Sequence, residues 1–157
     1  MRIAIGADHR GWALKSALVP WLMARGHEVS DEGTHDPQSV DYPDYAQRVA
    51  SKVARGEAER GVLICATGVG MAIAANKVHG IRATTCSDEE TARLCRQHND
   101  VNVLCLPGDR LDPATAERIV EVWLATPFEG GRHARRLDKV SQIEQQSCGA
   151  SSSAPTA

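Results

Sequence analysis

The sequence predicts a doubly wound α/β fold, in which a five-stranded parallel sheet carries helices on both faces. Five short apolar runs are spread along the chain, and segments with helical spacing of apolar residues alternate with them. Strands that are apolar on both faces are typical of a parallel sheet covered by helices on each side. The predicted strands are Ile3–Ile5, His27–Val29, Val62–Ile64, Ile81–Thr85 and Val101–Leu106.

The helices between these strands are predicted from apolar spacing and from capping residues. In the first helix, Leu14, Leu18 and Leu22 repeat every fourth residue, and Pro20 should kink the helix or mark its true boundary. In the fifth, Asp112 is a typical N-cap and Pro113 suits the first helical position. The predicted helices cover about residues 12–25, 45–55, 71–77, 88–97, 112–125 and 132–146.

Composition bounds the class of protein. The 157 residues are enough to bury a core, and the formal net charge of −2 lacks the basic excess that nonspecific nucleic-acid binding needs. No apolar run reaches the roughly 18–20 residues that cross a bilayer, and the N-terminus lacks a signal pattern, so a cytoplasmic location is expected. We expect one domain over residues 1–146 and a disordered Ser/Ala-rich tail over residues 147–157.

The cysteines argue against both a disulfide framework and a zinc site. There are five of them, an odd number, and no two have the C-x-x-C spacing. A cysteine of this kind is by default a small buried hydrophobe, and we expect that role for Cys86, Cys95 and Cys105. The sequence therefore predicts no metal ligands among them.

Polar residues follow several of the predicted strands. Asp8–His9 follows the first, Cys65–Thr67 the third, Ser87–Asp88 the fourth and Gly108–Arg110 the fifth. Ligands of doubly wound sheets bind beyond the carboxyl ends of the strands, so these clusters are candidates for a common site. His98–Asn99 precedes the fifth strand instead, and the topology alone gives it no place there.

The segment GVLICATGVGMAIAANK, residues 61–77, joins a buried strand to a helix rich in small residues. A dinucleotide loop is disfavoured because its third glycine position holds Ile73, and a thiol phosphatase loop because Met71 stands where an arginine would bind the phosphate. Two interpretations remain. Cys65 is either a buried cysteine before a tight turn or a thiol beside the backbone amides of residues 67–70, which would favour an anion.

Basic residues near the C-terminus suggest an anionic ligand. In the segment EGGRHARR, Arg132 and Arg136 are four residues apart and so share one helix face. Two guanidinium groups on one face suit a phosphate, although a solvated basic helix would have the same pattern. Asp8 and His9 likewise fit either a helix cap with an exposed histidine or a contact to the ligand.

Six segments together resemble the type B ribose-5-phosphate isomerases, in a group that also includes allose- and galactose-6-phosphate isomerases. The segments are GADHRG, DYPDYA, ICATGVGMAIAANK, GIRA, RQHNDVNVL and EGGRHARR. They occur in order over about Arg2 to Glu144. The resemblance implies a Rossmann-like three-layer sandwich and an enzyme that interconverts an aldose and a ketose phosphate through an enediolate.

The resemblance also implies which residues act. Cys65 matches the base that moves a proton between C1 and C2, and Thr67 matches the group that stabilises the enediolate oxygens. His98 matches the residue that helps open the sugar ring, and Asp8 a carboxylate that contacts the sugar hydroxyls and the carbonyl region. The substrate-binding positions implied are His9, Tyr42, Gly68, Val69, Gly70, Asn99, Arg110, Arg132 and Arg136.

The family resemblance further implies an assembly and a substrate class. The expected molecule is a homodimer, or a dimer of dimers, whose C-terminal helix packs on the partner subunit and whose active sites use both subunits. His98 would then reach the neighbouring subunit's site. The substrate would be a small sugar phosphate, and neither a metal nor another cofactor is expected.

Two positions test the resemblance. Ala66 stands where the family loop usually has glycine, and it would be strained if that position required a positive φ. Family members that lack the cysteine use a glutamate further along, but here that segment reads Ala74-Ala75-Asn76, which leaves Cys65 as the base. The alternatives to ribose 5-phosphate isomerisation are a six-carbon aldose 6-phosphate substrate, such as allose 6-phosphate, and a non-catalytic sugar-phosphate-binding module.

Overall fold

A computed structural model describes the backbone of residues 1–150 and the side chains of residues 1–147. Its five strands form one parallel sheet in the order β2-β1-β3-β5-β4, which confirms the predicted fold class. The elements are β1 (Arg2–Ala7), α1 (Trp12–Ala24), β2 (Glu28–Asp31), α2 (Tyr42–Ala54), β3 (Arg60–Cys65), α3 (Val69–Ala75), β4 (Ala83–Thr85), α4 (Glu89–Asn99), β5 (Val103–Pro107), α5 (Pro113–Ala125) and α6 (Arg132–Ala150).

Alternating residues of the central strands enter two separate cores, one on each face of the sheet. In β3, Val62 and Ile64 pack with α1, α4 and α5, whereas Leu63 and Cys65 pack with α2 and α3. The strands read as continuous apolar runs because both of their faces are buried. This places Cys65 at the end of β3, on the face covered by α2 and α3.

The first helix is not interrupted at Pro20, which corrects the expectation of a boundary there. α1 runs through the proline to Ala24 and buries Leu14, Leu18 and Leu22. Pro20 lies on the exposed side, where solvent can bind the carbonyl that loses its N–H partner. Packing of the apolar face against the sheet therefore outweighs the local effect of the proline.

The ends of two other helices differ from the prediction. α2 begins at Tyr42, three residues earlier than expected, because Pro43 falls in the first turn, where a missing N–H leaves no helical bond unmade. α6 continues to Ala150, so the first four residues of the predicted tail are helical. The rest of that predicted tail, residues 151–157, lies outside the described residues.

No helix within residues 1–150 combines the length and the apolar character that a membrane span requires. This agrees with the absence of long apolar runs in the sequence.

Candidate active site

The carboxyl ends of β1, β3 and β5 are joined by backbone hydrogen bonds. The Asp8 N–H donates to the Ile64 carbonyl at 3.1 Å, and the Gly108 N–H donates to the Cys65 carbonyl at 2.7 Å. The backbone segments pack so closely here that a Cβ on Gly11 would lie 2.4 Å from the Ile64 carbonyl oxygen. Three of the four polar clusters predicted from the sequence therefore meet at one edge of the sheet.

The fourth predicted cluster has a structural role. The Asp88 carboxylate accepts a hydrogen bond from the Thr91 N–H at 2.7 Å and from the Thr91 hydroxyl at 3.0 Å. It is the N-cap of α4. This use of its oxygens explains the acidic residue after β4 without a ligand.

The Cys65 thiol lies between the end of β3 and the start of α3. Its side chain is almost fully buried, and Sγ accepts a hydrogen bond from the Gly68 N–H at 3.2 Å. Gly68 adopts a left-handed φ of 76°, and a Cβ there would lie 2.8 Å from Cγ2 of Thr85. Glycine is thus required at position 68 both by the left-handed backbone and by the close contact with Thr85. The resulting turn points the Gly68 N–H toward the Cys65 sulfur.

The backbone at Ala66 is free of the strain that a positive φ would cause. Within residues 1–150, Asp100 is the only non-glycine residue with a positive φ, so Ala66 has an ordinary backbone conformation. Thr67 is exposed, and its hydroxyl accepts a hydrogen bond from the Val69 N–H at 3.3 Å. Alanine in place of the family's glycine is therefore compatible with this loop.

Asp8 is buried beside the loop that leads into α1. Its Oδ1 accepts hydrogen bonds from the N–H groups of Arg10 at 2.9 Å and Gly11 at 3.0 Å. Oδ2 makes no hydrogen bond to another described residue. One carboxylate oxygen therefore fixes the turn that leads into α1, whereas a contact of Oδ2 to a ligand stays a prediction.

His9 and Tyr42 complete the same side of the site. Nδ1 of His9 accepts the Val40 N–H at 3.3 Å, which holds the imidazole near the start of α2. The Tyr42 ring packs against the loop that follows Cys65. A Cβ on Gly70 would lie only 2.8 Å from Cζ of this tyrosine. We call this group of predicted residues the cysteine half; it comprises Asp8, His9, Tyr42, Cys65, Thr67, Gly68, Val69, Gly70 and Arg110.

The other predicted site residues lie at the opposite edge of the sheet. α4 runs back from the carboxyl end of β4, so its last turn, with His98 and Asn99, lies at the amino end of β5. The His98 ring stacks on that of His133, with centroids 4.4 Å apart and planes inclined by 10°. This contact places the start of α6 beside them. The histidine half therefore comprises His98, Asn99, Arg132 and Arg136.

One chain does not bring the two halves together. Cys65 pairs with Pro107 at the end of β5, whereas Gly61 pairs with Val103 at its start. Four residues at a rise of about 3.3 Å separate these levels by roughly 13 Å along the sheet. A sugar phosphate bound at Cys65 would not reach His98 of the same chain.

His133 is a buried neighbour of the site that the sequence did not single out. Its Nε2 lies 3.5 Å from a Glu129 oxygen, and the Glu129 N–H donates to the Gln97 carbonyl at 3.1 Å. Glu129 lies in the loop before α6, so no helical spacing in the sequence indicated this contact. These contacts fix the position of His98 on its outer side.

The cluster of His98, Glu129 and His133 has the composition of a metal site but not its geometry. Their potential ligand atoms lie within 4.8 Å of one another. The two imidazole planes are nearly parallel, however, so their nitrogen lone pairs point side by side instead of converging on one ion. The arrangement suits a stacked support for His98.

Comparison with known proteins identifies the family. A family profile described as Ribose/Galactose Isomerase matches residues 3–140. The chain belongs to this family. Ribose-5-phosphate isomerase B of Escherichia coli is 49% identical over 145 residues, which cover 92% of this chain and 97% of the relative. A putative sugar phosphate isomerase of Bacillus subtilis is 43% identical, over 93% of this chain and 99% of the relative.

Solved structures of the ribose/galactose isomerase family have the same fold. A ribose-5-phosphate isomerase B from Clostridium thermocellum gives a TM-score of 0.92 at 49% identity, covering 93% of this chain and 99% of its own. The Mycoplasma genitalium enzyme with bound ribulose 5-phosphate gives 0.88 at 42% identity, covering 92% and 96% respectively. The similarity therefore extends over the whole sheet and both halves of the candidate site.

In this member of the family, the stability of the fold should depend on the protonation of His133. Burial lowers the pKa of the His133 imidazole, and the charges of His98, Arg132 and Arg136 lower it further, against the opposing effect of Glu129. The unfolded chain then binds the proton more tightly than the folded chain. The stabilisation is present above the unfolded pKa of about 6.5 and is lost as the pH falls below it.

Denaturant titrations between pH 7.5 and 5.5 should therefore show a falling free energy of unfolding, with a shallower fall in His133→Gln. His35→Gln is the matched control for removal of an imidazole away from α6, because His35 is exposed and lies 3.8 Å from an Asp31 oxygen. An unchanged slope in His133→Gln would contradict the prediction.

Proposed function

We propose that this protein interconverts ribose 5-phosphate and ribulose 5-phosphate, with Cys65 as the base. The observation that carries the proposal is a buried thiol at the end of β3, hydrogen-bonded to the Gly68 amide, in a chain of the ribose/galactose isomerase family. The curated relative from Escherichia coli is named ribose-5-phosphate isomerase B, and the Mycoplasma genitalium structure holds ribulose 5-phosphate. These names supply the substrate class.

In the proposed reaction the Cys65 thiolate removes the proton from C2 of the open-chain aldose and returns it to C1. The bonding electrons move into an enediolate, and the hydroxyl proton on O2 is transferred to O1. A thiolate is too weak a base for this step unless the developing oxyanion is stabilised, and one well-placed donor lowers the barrier by roughly 3 kcal/mol. Thr67 and the Gly70 backbone amide are the donors proposed here, because the Gly68 and Val69 amides already donate to Cys65 Sγ and to the Thr67 hydroxyl.

The remaining residues of the cysteine half would hold the sugar. The free oxygen of the Asp8 carboxylate is available to the sugar hydroxyls near the carbonyl group. His9 and Arg110 would bind the phosphate from this side, and Tyr42 would form one wall of the pocket. Arg110 is exposed and makes no side-chain hydrogen bond or ion pair with another described residue, so its charge is available.

The histidine half would come from a second copy of the chain. His98 would assist ring opening, Asn99 would bind beside it, and Arg132 and Arg136 would complete the phosphate site. Two observations support a homodimer, or a dimer of dimers: the halves lie at opposite edges of one sheet, and α6 exposes apolar residues. Val140 and Ile143 on α6 are 51% and 63% exposed. We propose that α6 packs on the partner subunit through them.

A coupled assay for ribulose 5-phosphate formation tests the function directly. We expect the protein to turn over ribose 5-phosphate faster than allose 6-phosphate. The six-carbon sugar is the alternative substrate because the family profile also covers galactose isomerases. Binding of both sugars without turnover would instead support a non-catalytic module. We place the activity in cytoplasmic pentose phosphate metabolism, because charged sugar phosphates do not cross membranes unaided.

Arg136→Ala should mainly weaken substrate binding. A charged hydrogen bond to phosphate contributes about 1.5–3 kcal/mol, so KM should rise by roughly 10- to 100-fold while kcat changes little. Steady-state kinetics with ribose 5-phosphate measures both constants. Arg118→Ala is the matched control, because Arg118 is an exposed arginine on α5 that pairs with Glu89 at 3.0 Å. A loss of kcat without a rise in KM would contradict this role for Arg136.

A further inference from the structure

Two of the cysteines outside the candidate site lie side by side. Cys86, just after β4, and Cys95, in α4, have their Sγ atoms 3.9 Å apart. Both belong to the core on the α1, α4 and α5 face of the sheet. Their sulfur atoms would need to approach by only about 1.9 Å to reach the length of a disulfide bond.

The two thiols differ in burial and in acidity. Cys95 is 7% exposed and lines a cleft of about 810 Å³ between the β4 edge and α6, whereas Cys86 is fully buried. Asn99, Val140 and Ile143 line the same cleft, so it adjoins the surface proposed to pack on the partner subunit. The hydrogen bond from Cys86 and the charge of Arg96 lower the pKa of the Cys95 thiol, and the same hydrogen bond together with burial raises the pKa of Cys86. Cys95 is therefore both the less buried cysteine of the pair and the one whose thiol ionises first.

The sheet separates this pair from the other described thiols. Cys65 and Cys105 belong to the core on the α2 and α3 face. Cys105 is completely buried, and burial raises the pKa of its thiol. Cys95 therefore has one thiol neighbour on its own side of the sheet among the described cysteines, namely Cys86.

We propose that Cys86 and Cys95 are a redox-modification site at which a peroxide converts the two thiols into a disulfide. The Cys95 thiolate attacks one peroxide oxygen and becomes a sulfenic acid, while the O–O bond breaks and the other oxygen leaves as water or an alcohol. The Cys86 sulfur then attacks Sγ of Cys95; the S–S bond forms, the S–O bond breaks, and water leaves with the Cys86 proton. Two electrons pass from the sulfurs to the peroxide, and a dithiol reductant reverses the change. This oxidation uses none of the residues proposed for catalysis, although Asn99 of the histidine half lines the same cleft as Cys95.

Peptide mapping of the folded full-length protein after treatment with hydrogen peroxide tests the proposal. Under non-reducing conditions, trypsin should release residues 83–93 joined to residues 94–96, with a mass about 2 Da below the sum of the free peptides. Two of the five thiols should be lost together, and dithiothreitol should restore both. Cys105→Ser should leave this cross-link unchanged, whereas Cys95→Ser should abolish it and leave Cys86 reduced.

Two outcomes would overturn the proposal. One is the absence of the linked peptide at a peroxide dose that already oxidises Cys65, which serves as an internal measure of the oxidant. The other is the same yield of linked peptide in protein unfolded in urea, where the pairing would not depend on the fold.

Discussion

Cys65→Ala is expected to lower kcat for ribose 5-phosphate by roughly 10²–10⁴-fold, the range typical of a lost general base. Neither alanine nor serine at position 65 has a group that ionises near neutral pH. Cys65→Ala and the isosteric Cys65→Ser should therefore lose kcat to a similar extent. The loop should persist in each, because Gly68 sets its backbone through a left-handed φ. Binding of ribose 5-phosphate, followed by calorimetry, should therefore remain close to that of the wild type.

Cys105→Ala is the matched control for this experiment. Cys105 lies on the same face of the sheet, next to Leu63, and is also buried. Its replacement removes a thiol and leaves a small cavity, so some stability should be lost while kcat is retained. Full activity in Cys65→Ala, or an equal loss in Cys105→Ala, would remove Cys65 from the proposed role.

Mixing two inactive variants should restore about a quarter of the wild-type activity if the active site is shared between subunits. One variant carries Cys65→Ala in the cysteine half, and the other carries His98→Ala with Arg136→Ala in the histidine half. Random pairing of equal amounts makes half of the dimers mixed, and each mixed dimer has one intact site and one doubly damaged site. Activity should appear after joint refolding and increase from the low level of either variant alone.

The control pairs two variants from the same half, Cys65→Ala and Thr67→Ala. Every site in such a mixture keeps one lesion, so activity should not recover. If native mass spectrometry detects mixed dimers of the first pair and activity still fails to return, a single chain must assemble the site. This outcome would contradict an active site shared between subunits, but it would leave the proposed role of Cys65 as the base unchanged.

Much of the candidate site could be predicted because its signals are local. A buried run followed by Cys65, Thr67 and two glycines indicates a strand that ends in a tight turn, and the structure places the thiol there against the Gly68 amide. Helix ends were less predictable, as Pro20 shows: the proline's local preference is opposed by burial of a helix face that only the assembled sheet provides.

The sequence by itself determined the parallel sheet, the two helical layers and the identity of the candidate chemical groups, because apolar periodicity and turn residues act over a few neighbours. Only the tertiary structure decided which of these groups meet. The register of β3 against β5 separates Cys65 from His98, and the approach of α6 stacks His133 on His98. The packing of α4 against the end of β4 brings Cys86 to Cys95. Such contacts join residues far apart in the chain or on different elements, so they depend on how whole elements pack, which no local pattern encodes.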